Sequence, residues 1–183
     1  MRGLRYTAIA EVSKRILGLL REGIVPMLLP KEDMIGLCSP DNTADYMLGL
    51  YLYQVEQSES FRLSGKQNIG LYNQKYPPVV LDLHYMVTPY YKSDVKFLAE
   101  EEQIVLGRTI QIINDNSSIV YDNGELVELT LENKNMDEIQ KIWGSNSFYR
   151  TSVFLSARAV IVESAREKDV ARVKEFVIDT DHK

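Results

Sequence analysis

Cysteine and histidine, which supply most disulfides, zinc sites and acid–base groups, are scarce in this chain. Its 183 residues include one cysteine and two histidines. A single cysteine excludes an intrachain disulfide and a four-cysteine zinc site. Cys38 also lacks the partner of a CxxC motif, so we expect a small buried side chain and not a reactive thiol. This composition fits synthesis in a reducing cytoplasm.

Long apolar runs and an excess of positive charge are also missing. No stretch of about 18 apolar residues is present, so no membrane-spanning helix is predicted. Glu11, Lys14 and Arg15 interrupt the N-terminal stretch, which is typical of an amphipathic helix and not of an export signal. A formal net charge of -5 gives no general attraction for phosphate backbones or anionic lipid. We therefore expect neither a nucleic-acid partner nor a membrane partner.

Glycine motifs that cradle phosphates are absent as well. The glycines form neither GxGxxG nor GxxxxGK[ST], so no nucleotide or other cofactor site is predicted. Gly107 lies inside a predicted helix. It indicates either close packing of the helix against another element or subunit, or simply a position where the helix tolerates a glycine.

Trp143 is predicted to anchor the core. The run Glu100, Glu101, Glu102 is predicted to be a solvated helix face.

The pattern of apolar residues predicts an α+β fold. An apolar fraction of 45% in a chain of this length is enough for one packed core. Three- and four-residue spacing predicts helices, and alternation predicts strands. The predicted elements are a helix over about 9–23, strands within 34–40, 45–57 and 77–91, a helix from Ser93 or Asp94 to about Asn114, a strand within 124–135, a short helix from 136 or 137 to 144, and a strand within 147–164.

This order of elements indicates a mainly antiparallel sheet with helices packed on one face. We expect residues 1–165 to form this domain. Residues 166–183 are predicted to be a C-terminal extension or an edge strand, in which Val173, Glu175 and Val177 share one face.

A long connection over residues 57–78 separates two predicted strands. It is rich in Ser, Gly, Asn and Gln and ends in two prolines. Connections of this length are uncommon in compact domains unless they are functional or flexible. The segment predicts either a partner-binding arm or hairpin, or a mobile hairpin tip.

Asp82 and His84 are the clearest candidate for chemistry, because alternation along a strand places both side chains on one face. A proton relay or a metal site needs a third group, and the other histidine is His182, near the C-terminus. We therefore predict no catalytic, cofactor-binding or metal-binding residue. Instead, we expect Asp82 and His84 to pair across the sheet with charged neighbours.

Four stretches form a distinctive combination when taken in order. They are LYLYQVEQSESFR (50–62), YPPVVLDLHYMVTPY (76–90), EEQIVLGRTIQIINDN (101–116) and IWGSNSFYRTSVFLSARAVIV (142–162). A strand that starts after prolines is followed by a long helix containing LGR and then by a strand that follows a tryptophan. Over about residues 5–165, the chain resembles the N-terminal domain of the capping, or terminator, proteins of phage-tail-like contractile injection systems.

The resemblance implies a structural protein with an α/β domain like that of phage tail terminators. Such proteins are expected to form a homohexameric ring at the end distal to the baseplate, where they stop polymerisation and anchor the last sheath layer. The implied partners are further copies of the chain, the inner tube protein and the sheath protein, without cofactor or catalysis. The implied location is the cytoplasm during assembly, within a particle that can be released. The alternatives are another six-fold tail or baseplate adaptor, or a small enzyme using Asp82, His84 and Tyr85.

Overall fold

A six-stranded sheet organises the computed structural model, which describes residues 6–61, 65–69, 73–91, 97–121, 124–144 and 149–169. The helices and strands are α1 (Ala8–Ile24), β1 (Ile35–Leu37), β2 (Leu48–Gln57), β3 (Gln67–Ile69), β4 (Asn73–Lys75), β5 (Val79–Pro89), α2 (Leu98–Asp115), β6 (Ser118–Tyr121), β7 (Glu125–Glu132), α3 (Met136–Trp143), β8 (Val153–Val162) and β9 (Glu167–Asp169).

The strand order in the main sheet is β1-β2-β5-β8-β7-β6. The short strand β1 runs parallel to β2, and the other neighbouring pairs in this sheet are antiparallel. The mainly antiparallel α+β prediction is therefore confirmed. A second sheet contains β3, β4 and β9.

Helices α1 and α2 cover one face of the main sheet, as the sequence predicts. The apolar side of α1 packs into a continuous core with Leu50, Tyr85 and Leu155, each 0% exposed. The Tyr85 hydroxyl and the Ser13 hydroxyl lie 2.8 Å apart, so the one polar atom that Tyr85 buries has a partner on α1. Burial raises the pKa of Tyr85 to about 12, although the bond to Ser13 acts in the opposite direction.

Helix α3 packs on the opposite face, where the sequence did not place a helix. Its residues Ile139 and Trp143 lie in a second core cluster with Met86, Tyr90 and Phe154. Met86 and Phe154 alternate with the residues that face α1 and α2, so both strands present apolar side chains on both faces at this end of the sheet. That second apolar surface is what α3 covers, and Trp143 is a core anchor, as predicted.

The limits of α3 follow from local chemistry. The Asn135 side chain accepts a hydrogen bond from the Glu138 backbone N–H, and the Glu138 carboxylate accepts one from the Asn135 N–H. This reciprocal capping box satisfies two backbone donors that the first turn leaves unpaired. The helix ends at Gly144, whose φ of 70° lies in a region that L side chains rarely adopt.

The predicted element boundaries hold to within a few residues. The long helix ends at Asp115, close to the predicted Asn114, whereas its predicted start at Ser93 or Asp94 lies outside the described residues. Strand β6 was missed, because the preceding NDNSS was interpreted only as a helix stop. Its alternating burial, with Ile119 buried and Val120 exposed, is the period-two signal that could have identified it.

The long connection over residues 57–78 contains an antiparallel pair. Strands β3 and β4 pair with each other, and β9 pairs with β4. The hairpin prediction is therefore confirmed for the paired residues, while residues 70–72 lie outside the described chain. Of the segment 166–183, Glu167–Asp169 forms β9, and the predicted strand over residues 170–179 lies outside the described residues.

Candidate functional site

His84 lies at the centre of a polar cluster on the face of the sheet opposite α1 and α2. Its Nδ1 is 2.8 Å from Glu132 Oε1, and its Nε2 is 3.0 Å from Glu56 Oε1. The histidine is 8% exposed. Glu56 is on β2, His84 on β5 and Glu132 on β7, so one imidazole connects three strands.

The second oxygen of Glu132 extends the cluster. Glu132 Oε2 accepts a hydrogen bond from the Tyr53 hydroxyl at 3.2 Å and pairs with Lys134 Nζ at 3.2 Å. Burial acts to raise the pKa of Glu132, but the charges and hydrogen bonds of His84 and Lys134 outweigh it and hold that pKa below its usual range. Burial and the nearby Glu132 carboxylate both raise the pKa of Tyr53. Glu132 is therefore an ionised carboxylate and Tyr53 a neutral hydrogen-bond donor.

Asp82 shares a face with His84, as predicted, but it is not part of the cluster around Glu132. Its Oδ1 accepts a hydrogen bond of 3.2 Å from the backbone N–H of Ala159. Ala159 lies where the register between β5 and β8 shifts, and its φ is 65°. The β-bulge leaves the Ala159 N–H without an acceptor in the neighbouring strand, and the Asp82 carboxylate accepts its hydrogen bond instead.

This geometry is that of a structural network. Both ring nitrogens of His84 are engaged by carboxylates, and Asp82 is engaged by backbone. Within the described part of the chain, no group of three or more His, Cys, Asp or Glu side chains is arranged to hold a metal ion. The prediction of charged partners across the sheet is confirmed for His84, which contacts two carboxylates, but not for Asp82, whose partner is a backbone N–H. Sequence reasoning did not identify Glu56 and Glu132 as the partners, because residues 28 and 48 positions away become neighbours only through strand order.

Cys38 lies among aromatic side chains at the β1 edge of the sheet. It packs against the second core cluster, beside Tyr90 and Gly49. Burial raises the pKa of its thiol to about 11, so the thiolate required of a nucleophile is scarce at neutral pH. Cys38 is half-buried, which differs slightly from the fully buried position expected.

The predicted solvated run of glutamates is only partly solvated. Glu100 is exposed, whereas Glu101 and Glu102 are half-buried. Glu102 Oε1 accepts a hydrogen bond of 2.8 Å from Arg150 Nη1. Arg150 also lies over the ring of Tyr90, 5.7 Å from its centroid. The end of α2 that contains Glu102 is thereby tied to the chain that leads into β8.

The two outer edges of the main sheet differ in their protection. At β1, the Arg21 side chain donates to the Ile35 carbonyl from Nε at 3.2 Å and from Nη2 at 2.7 Å. At β6, the pairing register with β7 directs the N–H and C=O groups of Ser118 and Val120 away from the sheet. Exposed edges of this kind accept an added strand.

Two grooves lie beside these surfaces. The first, of 540 Å³, runs between α1 and the outer edge of β6, and Glu11, Lys14, Arg15, Val120 and Tyr121 line it. The second, of 310 Å³, has a mixed lining: Ile110, Leu131, Ile139, Val153 and Phe154 are apolar, and Glu132, Asn133, Lys134 and Ser152 are polar. Neither groove contains the His84 cluster as a whole, although Glu132 and Lys134 line the second one.

None of the helices in the described parts of the chain is long and apolar enough to cross a membrane. No curated protein sequence matches the chain.

Solved structures that share this fold include two proteins of contractile particles. One is the sheath/tube terminator, in the extended state, of an extracellular contractile injection system named PVC; it superposes with a TM-score of 0.68 at 17% identity, over 94% of this chain and 64% of that one. The other is the tube-terminating cap of the anti-feeding prophage, with a TM-score of 0.61 at 15% identity, over 92% of this chain and 60% of that one. The chain thus spans less than two thirds of the length of either protein.

A sequence-family model also matches. The model of the Pvc16 N-terminal domain covers residues 11–175, from the second turn of α1 to beyond β9. The match includes all six strands of the main sheet, α2, α3 and all of α1 except its first three residues. The chain is therefore a member of the Pvc16 N-terminal domain family.

Proposed function

We propose that this chain is a structural assembly protein that caps the distal end of the tube and sheath of a contractile injection system. The observation that carries the proposal is the shared fold, because two proteins described as a tube and sheath terminator and as a tube-terminating cap have it over nearly the whole of this chain. Family membership over residues 11–175 supports the same role. In this role the chain ends polymerisation and anchors the last sheath layer.

The proposed working form is a homohexameric ring, assembled in the cytoplasm on the end of the tube. A closed ring needs a heterologous interface, in which one surface of a subunit meets a different surface of the next. The outer side of α2 suits such a contact. Ile104 and Ile110 are 49% and 43% exposed there, and they flank Gly107, where an added Cβ meets no atom within 4 Å. Apolar side chains around a glycine allow a close approach by another backbone.

The geometry around His84 favours an assembly role over the enzyme alternative. A general base needs a free nitrogen within reach of substrate, whereas both nitrogens of His84 bind carboxylates. Tyr85, the third residue of that alternative, is fully buried on the other face, against α1. The three residues therefore do not meet in one site.

Electron microscopy of particles from cells that lack this chain tests the capping role. We expect overlong, ragged or sheathless tubes, and we expect the normal length distribution to return when the gene is supplied in trans. Particles of normal length with normal sheath in the deletion strain would rule the proposal out.

Native mass spectrometry of the chain with tube protein tests the hexameric ring separately. A complex without six copies of the chain would contradict the hexamer but not the capping role.

A further inference from the structure

We propose that two surfaces at opposite edges of the main sheet meet between neighbouring copies of the chain. The first surface, called the basic groove, is the groove of 540 Å³ beside β6, lined by Glu11, Lys14, Arg15, Val120 and Tyr121. The second, called the acidic edge, lies beside β1 and consists of the exposed residues Glu22, Met27, Glu32, Asp33 and Leu37. The basic groove of one copy receives the acidic edge of the next copy. The inference rests on the ring of the proposed function and assigns the surfaces that close it.

The basic groove combines positive charge with exposed apolar surface. Lys14 and Arg15 are exposed on α1, and neither has an ion-pair partner among the described residues. The Glu11 carboxylate in the same groove accepts a hydrogen bond from the Thr7 hydroxyl, and the three charges together leave the groove net positive. Val120 is 53% exposed beside them. The groove therefore suits a partner surface that offers carboxylates together with apolar side chains.

The acidic edge has the opposite charge. The stretch 21–46 runs from the last turn of α1 through β1 to the start of β2, and it contains five acidic and two basic residues. Glu32 and Asp33 are exposed in one turn of 3₁₀ helix (Glu32–Met34) that leads directly into β1. The exposed Glu22 follows Arg21, whose Nη2 donates to the Ile35 carbonyl of β1 at 2.7 Å. Carboxylates from two elements thus meet at this edge of the sheet.

Helix α1 connects the two surfaces within one subunit. Its N-terminal half lines the basic groove, whereas Arg21 in its last turn contacts β1. Strands β1 and β6 are the two outer strands of the main sheet. The groove and the acidic edge therefore lie on opposite sides of the subunit, and the groove of one copy is free to receive the edge of another. Repeated contacts between two different surfaces can close into a ring.

Charge selects this pairing over the symmetric ones. Two copies that met groove to groove would bring four positive side chains together, from Lys14 and Arg15 of each copy. Two copies that met edge to edge would bring Glu32 and Asp33 of each copy together. Like charges across an interface disfavour both arrangements. The groove-to-edge pairing places Lys14 and Arg15 against Glu32 and Asp33, so it is the arrangement in which opposite charges meet.

Apolar side chains on the two surfaces also match. Met27 and Leu37 of the acidic edge are 73% and 46% exposed. The groove-to-edge contact covers them together with Val120 and so removes apolar surface from water. The outer side of α2 lies on the same side of the subunit as the groove, because α2 ends at Asp115 and β6 begins at Ser118. The ring contact therefore continues from the groove onto α2.

Charge reversal in the full-length chain, mixed with tube protein, tests the contact. Lys14→Glu with Arg15→Glu makes the groove acidic, and Glu32→Lys with Asp33→Lys makes the edge basic. We expect native mass spectrometry to show about tenfold fewer six-copy complexes, or less, for each variant alone, because like charges then meet. An equimolar mixture of the two variants should restore these complexes. In an alternating ring every acidic groove then meets a basic edge, and every basic groove meets an acidic edge.

Lys141→Glu with Lys168→Glu, at exposed positions on α3 and β9, is the matched control and should assemble like the wild type. All the substituted side chains are exposed, so each variant should keep the fold, which circular dichroism checks.

Two outcomes would overturn the interface while the ring stands. One is wild-type numbers of six-copy complexes in both reversed variants, and the other is a mixture that does not recover them. A wild-type chain that forms no six-copy complex would overturn the ring and this interface together. The deletion strain tests the capping role independently of either result.

Discussion

His84 Nδ1 lies 2.8 Å from Glu132 Oε1 across an intervening strand. His84 belongs to β5 and Glu132 to β7, and β8 runs between them. The contact therefore fixes the position of two strands that do not pair with each other. Because the Glu132 side chain is only 12% exposed, its charge depends on His84 and Lys134 for compensation.

Removing His84 tests the structural role of the cluster. We expect His84→Leu to lower the free energy of unfolding by about 2 to 4 kcal/mol, because it leaves Glu132 buried with fewer partners. Urea denaturation monitored by circular dichroism measures the change. Glu128→Gln, at an exposed position on the same face, is the control and should change stability by less than about 0.5 kcal/mol. A loss as small as that of the control would contradict the structural assignment.

The lowered pKa of Glu132 predicts a pH dependence. A carboxyl whose folded pKa lies below its unfolded value contributes stability above the unfolded pKa, here near 4.5, and loses it as the pH falls through the folded pKa. Lys134→Met removes one cause of the shift. Its destabilisation relative to wild type should therefore be larger at about pH 6 than at about pH 3. Lys141→Met, at an exposed position on α3, should show no such difference, and equal losses for Lys134→Met at both pH values would refute the linkage.

Two helical glycines provide a matched pair for packing. A Cβ added to Gly23 of α1 would lie 2.5 Å from Ile112 Cδ1 of α2, whereas one added to Gly107 meets no atom within 4 Å. We expect Gly23→Ala to cost about 1 to 3 kcal/mol through overpacking, and Gly107→Ala to stabilise the isolated subunit by up to about 1 kcal/mol. Combining Gly23→Ala with Ile112→Val should recover part of the loss in a double-mutant cycle. Thermal unfolding of the wild type, the three single variants Gly23→Ala, Gly107→Ala and Ile112→Val, and the double variant measures these effects. Equal effects at the two glycines would contradict the α1–α2 contact.

The bulge residue Ala159 has a positive φ of 65°. Because L residues with a side chain are strained in this region, Ala159→Gly should raise the free energy of unfolding by about 1 kcal/mol. Ala157→Gly, in the same strand but fully buried in the core, should instead lower it by about 1 kcal/mol or more. Chemical denaturation of both variants measures the contrast. Destabilisation of similar size in both would show that the backbone at Ala159 carries no strain.

The local pattern of the sequence was sufficient for much of the fold. The spacing of apolar residues predicted α1, α2 and α3. Alternation predicted that Leu48 and Leu50 face away from Tyr51 and Tyr53. In the structure Leu48 and Leu50 lie in the main core cluster, whereas the two tyrosines pack against the second cluster. These predictions succeed because helical and strand periodicity depend on neighbours within a few residues. The four stretches that resemble terminator proteins were likewise readable without coordinates, and the family match confirms that membership.

Other features became visible only in the tertiary structure. The partners of His84 depend on the order β2-β5-β8-β7, and α3 lies opposite α1 because Met86 and Phe154 form a second apolar surface. Periodicity states which side of a strand a residue occupies but not which strand lies beside it. Strand order results from packing the whole chain at once. The sequence by itself therefore determined most of the elements, their faces and the family, and the tertiary structure decided which strands are neighbours and which side chains meet.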